Sequence, residues 1–443
     1  SYDRATGTLT LTGTASLSSY LNVLRSVKYQ NHAANPDRTT RVILFSVSDG
    51  TGRSEPAQTT IQMTDMKLNN GTDGKDQMIT TPAVDRINAL GGEDTVTSIL
   101  ANLQQNDVIN GGSGIDTFVL TDGGGSALIE IANPVNQISG IFTNNTTVTN
   151  FENFDFAGFQ GNVTLIGSDG NDSVISGAGG DNLSGGAGDD RLVSNAGSDK
   201  LDGGLGNDIL EGGTGADLYI IDSPYDQVIE GLNAGFDIIS ASTSYTLPDN
   251  VEELDLTGVA AVGTGNALDN TIVGNEVNNI LNGKLGADLL LGNGGNDSLL
   301  GDVGDDELIS GAGNDTLIGG DGNDRLDGGQ GRDRLTGGTG KDTFVLSSSQ
   351  KRNRDVITDF NSKDDTIVIS RSSFSSRLKR GKVRANAFAL GNRALDTKDR
   401  FIYNGKTGSL FFDIDGIGAG RQIQIAQLSK NTMLNRSDIV VMS

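Results

Sequence analysis

Aspartate recurs at every ninth position in two stretches of this 443-residue chain, and side-chain oxygens at so regular a spacing are candidate ligands for a cation. The first stretch contains Asp172, Asp181, Asp190, Asp199, Asp208, Asp217 and Asp226. The second contains Asn270, Asn279, Asp288, Asp297, Asp306, Asp315, Asp324, Asp333 and Asp342. Upstream, Asp76 and Asp94 stand 18 residues apart in a degraded version of the pattern and are candidates for one more ion.

Glycine and one apolar residue complete the repeating unit around each aspartate. The stretch from Gly185 to Val193 reads GGAGDDRLV, so the unit is G-G-x-G-x-D-x-U-x, with an apolar residue at U. The last three positions form a short strand, and the glycine-rich positions turn the chain because glycine adopts backbone angles that other residues avoid. Two units close one coil of 18 residues. The predicted fold class is therefore all-β, a parallel β-roll or β-helix solenoid with the U side chains in a narrow core.

Stacked coils bring carboxylates that are 18 residues apart onto one edge, about 4.7–4.9 Å from each other. Two like charges at that distance repel by about 3 kcal/mol at an effective dielectric constant of about 20. A divalent cation between them reverses the sign, and backbone carbonyls of the glycine turns complete a shell of about six to eight oxygens around Ca²⁺. The absence of Cys and the single His32 disfavour transition metals. Ten aspartate pairs 18 residues apart in the two stretches predict about ten calcium ions or more.

A turn-forming role without metal is the alternative for these residues, since Asp and Asn both favour turns. That role explains a turn every nine residues, but it does not explain why 14 of the 16 positions are Asp and only two are Asn. The charge balance also favours cation binding: 57 acidic against 33 basic residues give a formal net charge of −24. A chain this acidic repels nucleic acid and anionic membranes, and no apolar run approaches the roughly 20 residues of a bilayer span. We expect calcium as a partner, no nucleic acid and no membrane insertion.

The nonapeptide resembles the RTX, or haemolysin-type calcium-binding, repeat in sixteen in-register units. The stretches from Asp355 to Phe360 and from Phe412 to Gly416 are similar to the closing module of serralysin-type RTX proteins. This implies a C-terminal cap with an uncleaved type I secretion signal, and hence a secreted bacterial protein. The alternation from Thr8 to Thr12 resembles a cadherin-like, Ig-like module that is truncated here, which implies a fragment or mature product of a larger protein.

Composition and repeats divide the chain into six segments. They are a partial cadherin-like or Ig-like β-domain (1–66), degenerate repeats with metal-free β-rungs (67–166), a first RTX array (167–228), further metal-free rungs (229–264), a second RTX array (265–345) and a C-terminal cap (346–443). The cap reverses the charge balance, with 17 Lys and Arg against 9 Asp. We interpret 118–166 and 228–264 as rungs of one continuous solenoid, because both alternate apolar and polar residues. An exposed loop insertion is the alternative.

No catalytic motif is recognisable: one His cannot form a His-Glu-His zinc site, and neither a G-x-S-x-G elbow nor a P-loop is present. We expect a secreted structural or adhesive cell-surface protein, such as an adhesin, sheath or surface-layer component, and not an enzyme. Its expected partners besides calcium are further copies of itself, in a lattice or filament, or surface polysaccharide. The alternative is the RTX secretion and folding module of a larger secreted enzyme or toxin. A calcium buffer or sensor is disfavoured, since nothing resembles a bistable target-binding groove.

Overall fold

The structure is a computed structural model that describes residues 66–442 except 105, 142–144, 348–352, 376–377 and 418–419, together with four strands before residue 66. The chain divides into two compact units, 1–66 and 67–443. In the first unit, β1 (Tyr2–Asp3) pairs antiparallel with β2 (Thr8–Leu9), and β3 (Arg41–Phe45) pairs antiparallel with β4 (Ala57–Ile61). The rest of the predicted cadherin-like module lies outside the described residues.

Short strands make up nearly all of the regular structure in the second unit. Up to the end of the first array they are β5 (Met66–Asn70), β6 (Gln77–Ile79), β7 (Val84–Asn88), β8 (Thr95–Ser98), β9 (Val108–Asn110), β10 (Thr117–Leu120), β11 (Ser126–Glu130), β12 (Ile138–Ser139), β13 (Thr147–Thr149), β14 (Asn153–Asp155), β15 (Asn162–Ser168), β16 (Ser173–Ile175), β17 (Asn182–Ala187), β18 (Arg191–Val193), β19 (Lys200–Leu205), β20 (Ile209–Glu211), β21 (Leu218–Ile221) and β22 (Gln227–Ile229). From there to the end of the second array they are β23 (Ile238–Ala241), β24 (Tyr245–Thr246), β25 (Glu253–Leu256), β26 (Val262–Thr264), β27 (Thr271–Val273), β28 (Ile280–Leu285), β29 (Leu289–Leu291), β30 (Ser298–Val303), β31 (Glu307–Ile309), β32 (Ala312–Gly313), β33 (Thr316–Asp321), β34 (Arg325–Asp327), β35 (Gln330–Gly331), β36 (Arg334–Thr339) and β37 (Thr343–Leu346).

The C-terminal segment adds further strands and the helical elements. Its strands are β38 (Asp355–Ile357), β39 (Thr366–Ser370), β40 (Gly381–Lys382), β41 (Phe388–Leu390), β42 (Phe401–Asn404), β43 (Ser409–Phe412), β44 (Ile423–Gln427) and β45 (Ile439–Met442). The helical elements of the described residues are α1 (Arg371–Phe374) and three 3-10 turns, Asn102–Gln104, Ala385–Ala387 and Arg436–Asp438. Among the described residues, no helix reaches the length and hydropathy that a bilayer span requires.

Parallel pairing between strands one coil apart builds long sheets. A 16-stranded sheet runs in the order β12-β11-β15-β17-β19-β21-β23-β25-β27-β29-β31-β34-β37-β39-β45-β40 and passes through both arrays. Successive strands alternate between this sheet and a second one, which is the 8-stranded sheet β22-β20-β18-β16-β14-β10-β8-β6 along the first array. Along the second array it is the 11-stranded sheet β24-β26-β28-β30-β33-β36-β38-β44-β43-β42-β41. The predicted parallel β-solenoid is confirmed.

The stretch between the arrays contributes strands to the same 16-stranded sheet. Tyr219 of the first array pairs with Ile239, and Ile239 pairs with Leu254. Leu254 in turn pairs with Ile272, at the start of the second array. This register carries the sheet across the non-repeat residues without a break. The second sheet is exchanged there, because β22 ends the 8-stranded sheet and β24 begins the 11-stranded one.

The apolar residue of each nonapeptide lies in the core. Leu281, Leu299, Leu317 and Leu335 are fully buried and are register partners on successive coils of the 11-stranded sheet. Burial along a strand alternates, so the neighbours of each leucine face outward. Because each strand contributes one apolar side chain to this row, each leucine packs against its register partners on the coils before and after it.

Replacing Leu299 with alanine is expected to cost about 2–5 kcal/mol of unfolding free energy, because it opens a cavity in a fully buried row. Leu285→Ala is the matched control: its side chain is 50% exposed at the end of β28, and we expect a change within about 0.5 kcal/mol. Urea unfolding at saturating calcium measures both. Equal losses for the two variants would contradict the assignment of this leucine row to a closed core.

Candidate metal centre

The aspartates of the nonapeptides stack in rows along the sheets, which we call carboxylate ladders. In each ladder the backbone N–H of one residue donates to Oδ1 of the aspartate one coil further on. In the first array these bonds join Asp172 to Asp190 (2.8 Å), Asp190 to Asp208 (2.8 Å), Asp208 to Asp226 (3.0 Å), Asp181 to Asp199 (2.7 Å) and Asp199 to Asp217 (2.8 Å). The ladders place every one of these predicted ligands beside its partner 18 residues away, as the nine-residue register predicts.

The second array and the degraded repeats build ladders of the same kind. The bonds join Asn270 to Asp288 (2.7 Å), Asp288 to Asp306 (2.8 Å), Asp306 to Asp324 (3.0 Å), Asp324 to Asp342 (3.1 Å), Asn279 to Asp297 (2.8 Å), Asp297 to Asp315 (2.8 Å), Asp315 to Asp333 (3.0 Å) and Asp76 to Asp94 (2.8 Å). All residues predicted as ligands from the sequence therefore lie in ladders.

The two asparagines differ from most of the aspartates because both polar atoms of the side-chain amide have protein partners. Oδ1 of Asn270 accepts from the N–H of Asn266 (2.8 Å), and its Nδ2 donates to the carbonyl of Val251 (3.1 Å). Asn279 is held in the same way by Asn275 (2.8 Å) and Ala260 (3.0 Å). An amide can donate to a carbonyl where a carboxylate cannot. Asparagine thus begins each ladder of the second array at a position that faces a backbone acceptor.

The second oxygen, Oδ2, has no such partner in most of the ladder aspartates. The exceptions among the predicted ligands are Asp76, Asp172, Asp181 and Asp226, in which Oδ2 accepts a hydrogen bond from a residue three to five positions earlier. Oδ2 is buried without a hydrogen-bond partner in Asp94, Asp190, Asp199, Asp208, Asp217, Asp288, Asp297, Asp306, Asp315, Asp324 and Asp333. A buried carboxylate oxygen that nothing satisfies costs about 1–3 kcal/mol or more. The ion pairs found among the described residues join Lys or Arg to carboxylates outside the ladders. A bound cation or a proton is what these oxygens require.

The first glycine of the nonapeptide keeps open the space in front of Oδ2. A Cβ on Gly301 would lie 2.2 Å from Oδ2 of Asp306 and 2.7 Å from the carbonyl oxygen of Gly319, one coil further on. A carboxylate oxygen and a backbone carbonyl from the next coil therefore converge on a space that any side chain would fill. We call this space the glycine cradle. Its donors are all oxygens, which is the ligand set that Ca²⁺ prefers, so the residues present fit a calcium ion.

Burial raises the pKa of the ladder carboxyls. The pKa is raised to about 6 in Asp190 and Asp208, and to about 7 in Asp288 and Asp324. Desolvation is the largest cause in each case, the backbone hydrogen bond to the carboxylate lowers the pKa, and the charge of neighbouring aspartates raises it further. A divalent cation beside these groups acts in the opposite direction, because it favours the ionised carboxylate. Calcium and protons therefore compete for the same oxygens.

Seven acidic residues belong to the ladders although the nine-residue register does not predict them, and five of these follow coils of several lengths. Those five are Asp237, which accepts from Asp217 (2.9 Å), Glu252, which accepts from Asp237 (2.9 Å), Asp355, which accepts from Asp333 (3.2 Å), Asp365, which accepts from Asp342 (3.1 Å), and Glu152, which accepts from Asp116 (2.8 Å). The coils between these partners have 20, 15, 22, 23 and 36 residues instead of 18. The signal that could have found them is the buried apolar residue two positions later, such as Ile239 after Asp237.

The other two, Asp107 and Asp116, follow coils of 22 residues in the degraded repeats. The N–H of Asp85 donates to Oδ1 of Asp107 (2.7 Å), and the N–H of Asp94 donates to Oδ1 of Asp116 (2.8 Å), in both cases across 22 residues. Burial raises the pKa of Asp107 and Asp116 as well. The ladder geometry therefore persists where the glycine pattern is weak.

Replacing Gly301 with alanine is expected to remove at least one calcium ion, because the new Cβ would displace Oδ2 of Asp306 from the cradle. Gly124→Ala is the control, since a Cβ there would meet no atom within 4 Å. Isothermal titration calorimetry counts the ions bound by each variant. An unchanged stoichiometry in Gly301→Ala, with the protein folded, would contradict the glycine cradle as the place where calcium binds.

Comparison with a known repeat family agrees with this geometry. The model of the RTX calcium-binding nonapeptide repeat (4 copies) matches residues 70–98, 104–123, 158–183, 184–219, 264–299, 273–308 and 309–344. Over 57 residues the chain is 40% identical to the endo-1,3-1,4-beta-glycanase EglC of Rhizobium meliloti (strain 1021), a likeness that covers 13% of this chain and 12% of that protein. The extracellular lipase LipA from Serratia marcescens is a structural match at 18% identity and a TM-score of 0.17, covering 63% of this chain and 40% of the lipase. The chain thus spans less than half the length of either protein. The family match and the strand order together show that the chain carries RTX calcium-binding nonapeptide repeats folded as a parallel β-solenoid.

Proposed function

We propose that this protein is a secreted, extracellular calcium-binding protein with a structural or adhesive role at the bacterial cell surface, and that its β-roll folds when it binds calcium outside the cell. The observation that carries the proposal is the row of buried Oδ2 oxygens, most of which face a glycine cradle. Ions in these cradles satisfy the oxygens, offset the acidic charge and make the fold dependent on the calcium concentration.

Calcium in a cradle joins two coils. Oδ2 of Asp306 and the carbonyl of Gly319 belong to neighbouring coils, so an ion bound to both stabilises the contact between them. Each coil depends on its neighbours, as in other solenoids, and binding that is coupled to folding becomes cooperative along the array. At low cytosolic calcium the ladders repel and the chain stays unfolded enough for type I export. At extracellular calcium the coils close.

The length of the sheet supports a structural role and not a catalytic one. Sixteen strands at a spacing of about 4.8 Å extend roughly 70 Å along the stacking direction. The acidic residues that could serve catalysis are instead spread along the ladders and held by backbone N–H groups. Such a calcium-stiffened element suits a lattice or filament of identical copies, or an adhesin that holds surface polysaccharide.

The C-terminal segment supports the proposal of a cap. Strand β45 pairs with β39 and continues the 16-stranded sheet, and β44 pairs with β38 and continues the 11-stranded one. Phe374, Phe401 and Phe412 pack together beside these strands, with ring centroids 5.2 and 5.6 Å apart. Large apolar side chains there cover the last rung of the solenoid, which is the requirement of a terminal repeat.

Immunogold electron microscopy of the native bacterium tests the surface role. We expect label on the outer surface of cells grown in millimolar calcium, and its release into the medium after washing with EGTA. Magnesium-supplemented EGTA washes are the control for loss of divalent ions in general. Label confined to the cytoplasm, or a calcium-replete protein found only free in the medium, would contradict the proposal.

A second candidate is the RTX secretion and folding module of a larger secreted enzyme or toxin. The short likeness to a glycanase favours it, because a similar stretch there belongs to a protein named as an enzyme. The coding sequence upstream of Ser1 discriminates between the two roles. A catalytic domain in the same polypeptide favours the enzyme module, whereas further Ig-like modules favour the surface protein.

A further inference from the structure

Three carboxylates meet where the first array ends. Asp217, Glu230 and Asp237 each place a carboxylate oxygen within 4.8 Å of the other two. Asp217 precedes β21 and Asp237 precedes β23, so these two lie on neighbouring coils of the 16-stranded sheet. Glu230 follows β22 on the 8-stranded sheet. The cluster thus combines two residues next to strands of the 16-stranded sheet with one residue next to a strand of the 8-stranded sheet.

Glu230 stands where a nonapeptide has its first glycine. It is four residues after Asp226, as Gly212 is four residues after Asp208. The match to the repeat family ends at residue 219 and resumes at 264, so Glu230 and Asp237 lie outside it. The coil from Asp217 to Asp237 has 20 residues instead of 18. This coil therefore supplies a third carboxylate, that of Glu230, at the position where the nonapeptides have glycine.

Tyr219 holds Glu230 in position. Its hydroxyl donates to Oε1 of Glu230 and accepts from the N–H of Gly212 (2.8 Å). A Cβ on Gly212 would lie 2.2 Å from the Tyr219 hydroxyl oxygen and 2.4 Å from Oδ2 of Asp217. Phenol and carboxylates thus share one buried space, and Tyr219 itself is fully buried.

Two of the three carboxylates have an oxygen that the protein leaves unsatisfied. Oδ2 of Asp217 and Oδ2 of Asp237 are buried without a hydrogen-bond partner, and the two residues are 2% and 0% exposed. Oδ1 of Asp237 accepts from the N–H of Asp217 (2.9 Å), so Oδ2 is the oxygen without a partner. Two oxygens on one Ca²⁺ are at most about 5 Å apart, twice a bond of about 2.3–2.6 Å. The spacing of the cluster lies within that limit.

We propose that Asp217, Glu230 and Asp237 form a calcium site of three carboxylates, different in composition from the glycine cradles of the arrays. Affinity for calcium rises with the number of charged ligands, so this site binds more tightly than a cradle and fills first. Because Asp217 also belongs to the first-array ladder, an ion here fixes the last coil of that array. The proposal depends on Glu230, which no nonapeptide supplies, and it does not depend on a surface role.

Terbium(III) is a direct probe, because it replaces calcium at oxygen sites and emits when a nearby tyrosine is excited. The chain has no Trp, so tyrosine is the sensitiser. We expect the first equivalent of terbium to give sensitised emission in the full chain. Glu230→Gln should weaken binding of that first equivalent at least about tenfold, since it removes one of three charges. Tyr219→Phe should lose most of the emission of the first equivalent. In calorimetry it should weaken the tight binding step less than Glu230→Gln does, because all three carboxylates remain although Glu230 loses its hydrogen bond.

Glu276→Gln is the matched control, because this exposed glutamate undergoes the same change of charge outside the cluster. An unchanged first-equivalent affinity in Glu230→Gln would overturn the proposal. If that variant does not fold, sensitised emission that persists in Tyr219→Phe would overturn it instead. Loss of the tight step with calcium-induced folding retained supports the site. Absence of calcium-induced folding in the wild type counts against the proposed function alone, since the terbium titration still decides on this cluster.

Discussion

Removal of calcium with EGTA at pH 7.5 is expected to abolish most of the β-sheet circular dichroism signal of the protein, and millimolar calcium is expected to restore it cooperatively. Each pair of ionised ladder aspartates one coil apart repels by about 3 kcal/mol at an effective dielectric constant of about 20. A typical folded domain has a total stability of only about 5–15 kcal/mol. Several unscreened pairs are therefore enough to open the roll.

Magnesium at the same concentration is the control for this experiment. It demands near-ideal octahedral geometry and retains its water, so it should restore little of the signal. Sodium chloride at physiological ionic strength should also restore little, because buried pairs are poorly screened. A spectrum that is the same in EGTA and in calcium would contradict the account.

Acid is expected to replace calcium. In calcium-free buffer, lowering the pH from 7.5 towards 4 should restore strand structure, with the transition in the range of the raised pKa values. The folded-state pKa is about 7 in Asp288 and Asp324 and about 6 in Asp190, against an ordinary 3.8. The folded chain thus binds more protons than the unfolded one. This contribution to stability is complete below the unfolded pKa and is lost as the pH rises through 6 to 7.

The double variant Asp288→Asn, Asp324→Asn tests the direction of this pH dependence. An amide cannot ionise, so the calcium-free variant should keep strand structure to a higher pH than the wild type while it binds fewer ions. Circular dichroism across pH 4 to 8 compares the two. A calcium-free wild type that gains strand structure as the pH rises would contradict the raised pKa values.

The nine-residue register predicts both the coil and the partners within the ladders. A nonapeptide alternates a strand with a glycine turn, so aspartates 18 residues apart can only meet on one edge. Asp190 and Asp208 are examples: they are predicted as neighbours and are joined by a 2.8 Å hydrogen bond. Residue types also predict the core, since the U residues, such as Leu299, are buried.

The remaining ladder members could not be predicted from the sequence, because they follow coils of other lengths. Asp237, Glu252 and Asp355 follow coils of 20, 15 and 22 residues, and no fixed period connects them to their partners. The exchange of the second sheet between β22 and β24 is also absent from the pattern, because both sides of a coil use the same x-U-x tripeptide. The position of Glu230 depends on contacts with Tyr219 and Asp217 that form only when the coils stack.

The most direct test of the central claim is the anomalous diffraction of calcium in crystals grown with the ion. We predict a row of anomalous peaks along each ladder, one in each glycine cradle, about 2.3–2.6 Å from the ligand oxygens. In the second array one peak should contact Oδ2 of Asp306 and the carbonyl of Gly319. Ordered ladders without anomalous density in the cradles, or aspartates turned outward into solvent, would contradict the claim that calcium ions hold the coils together.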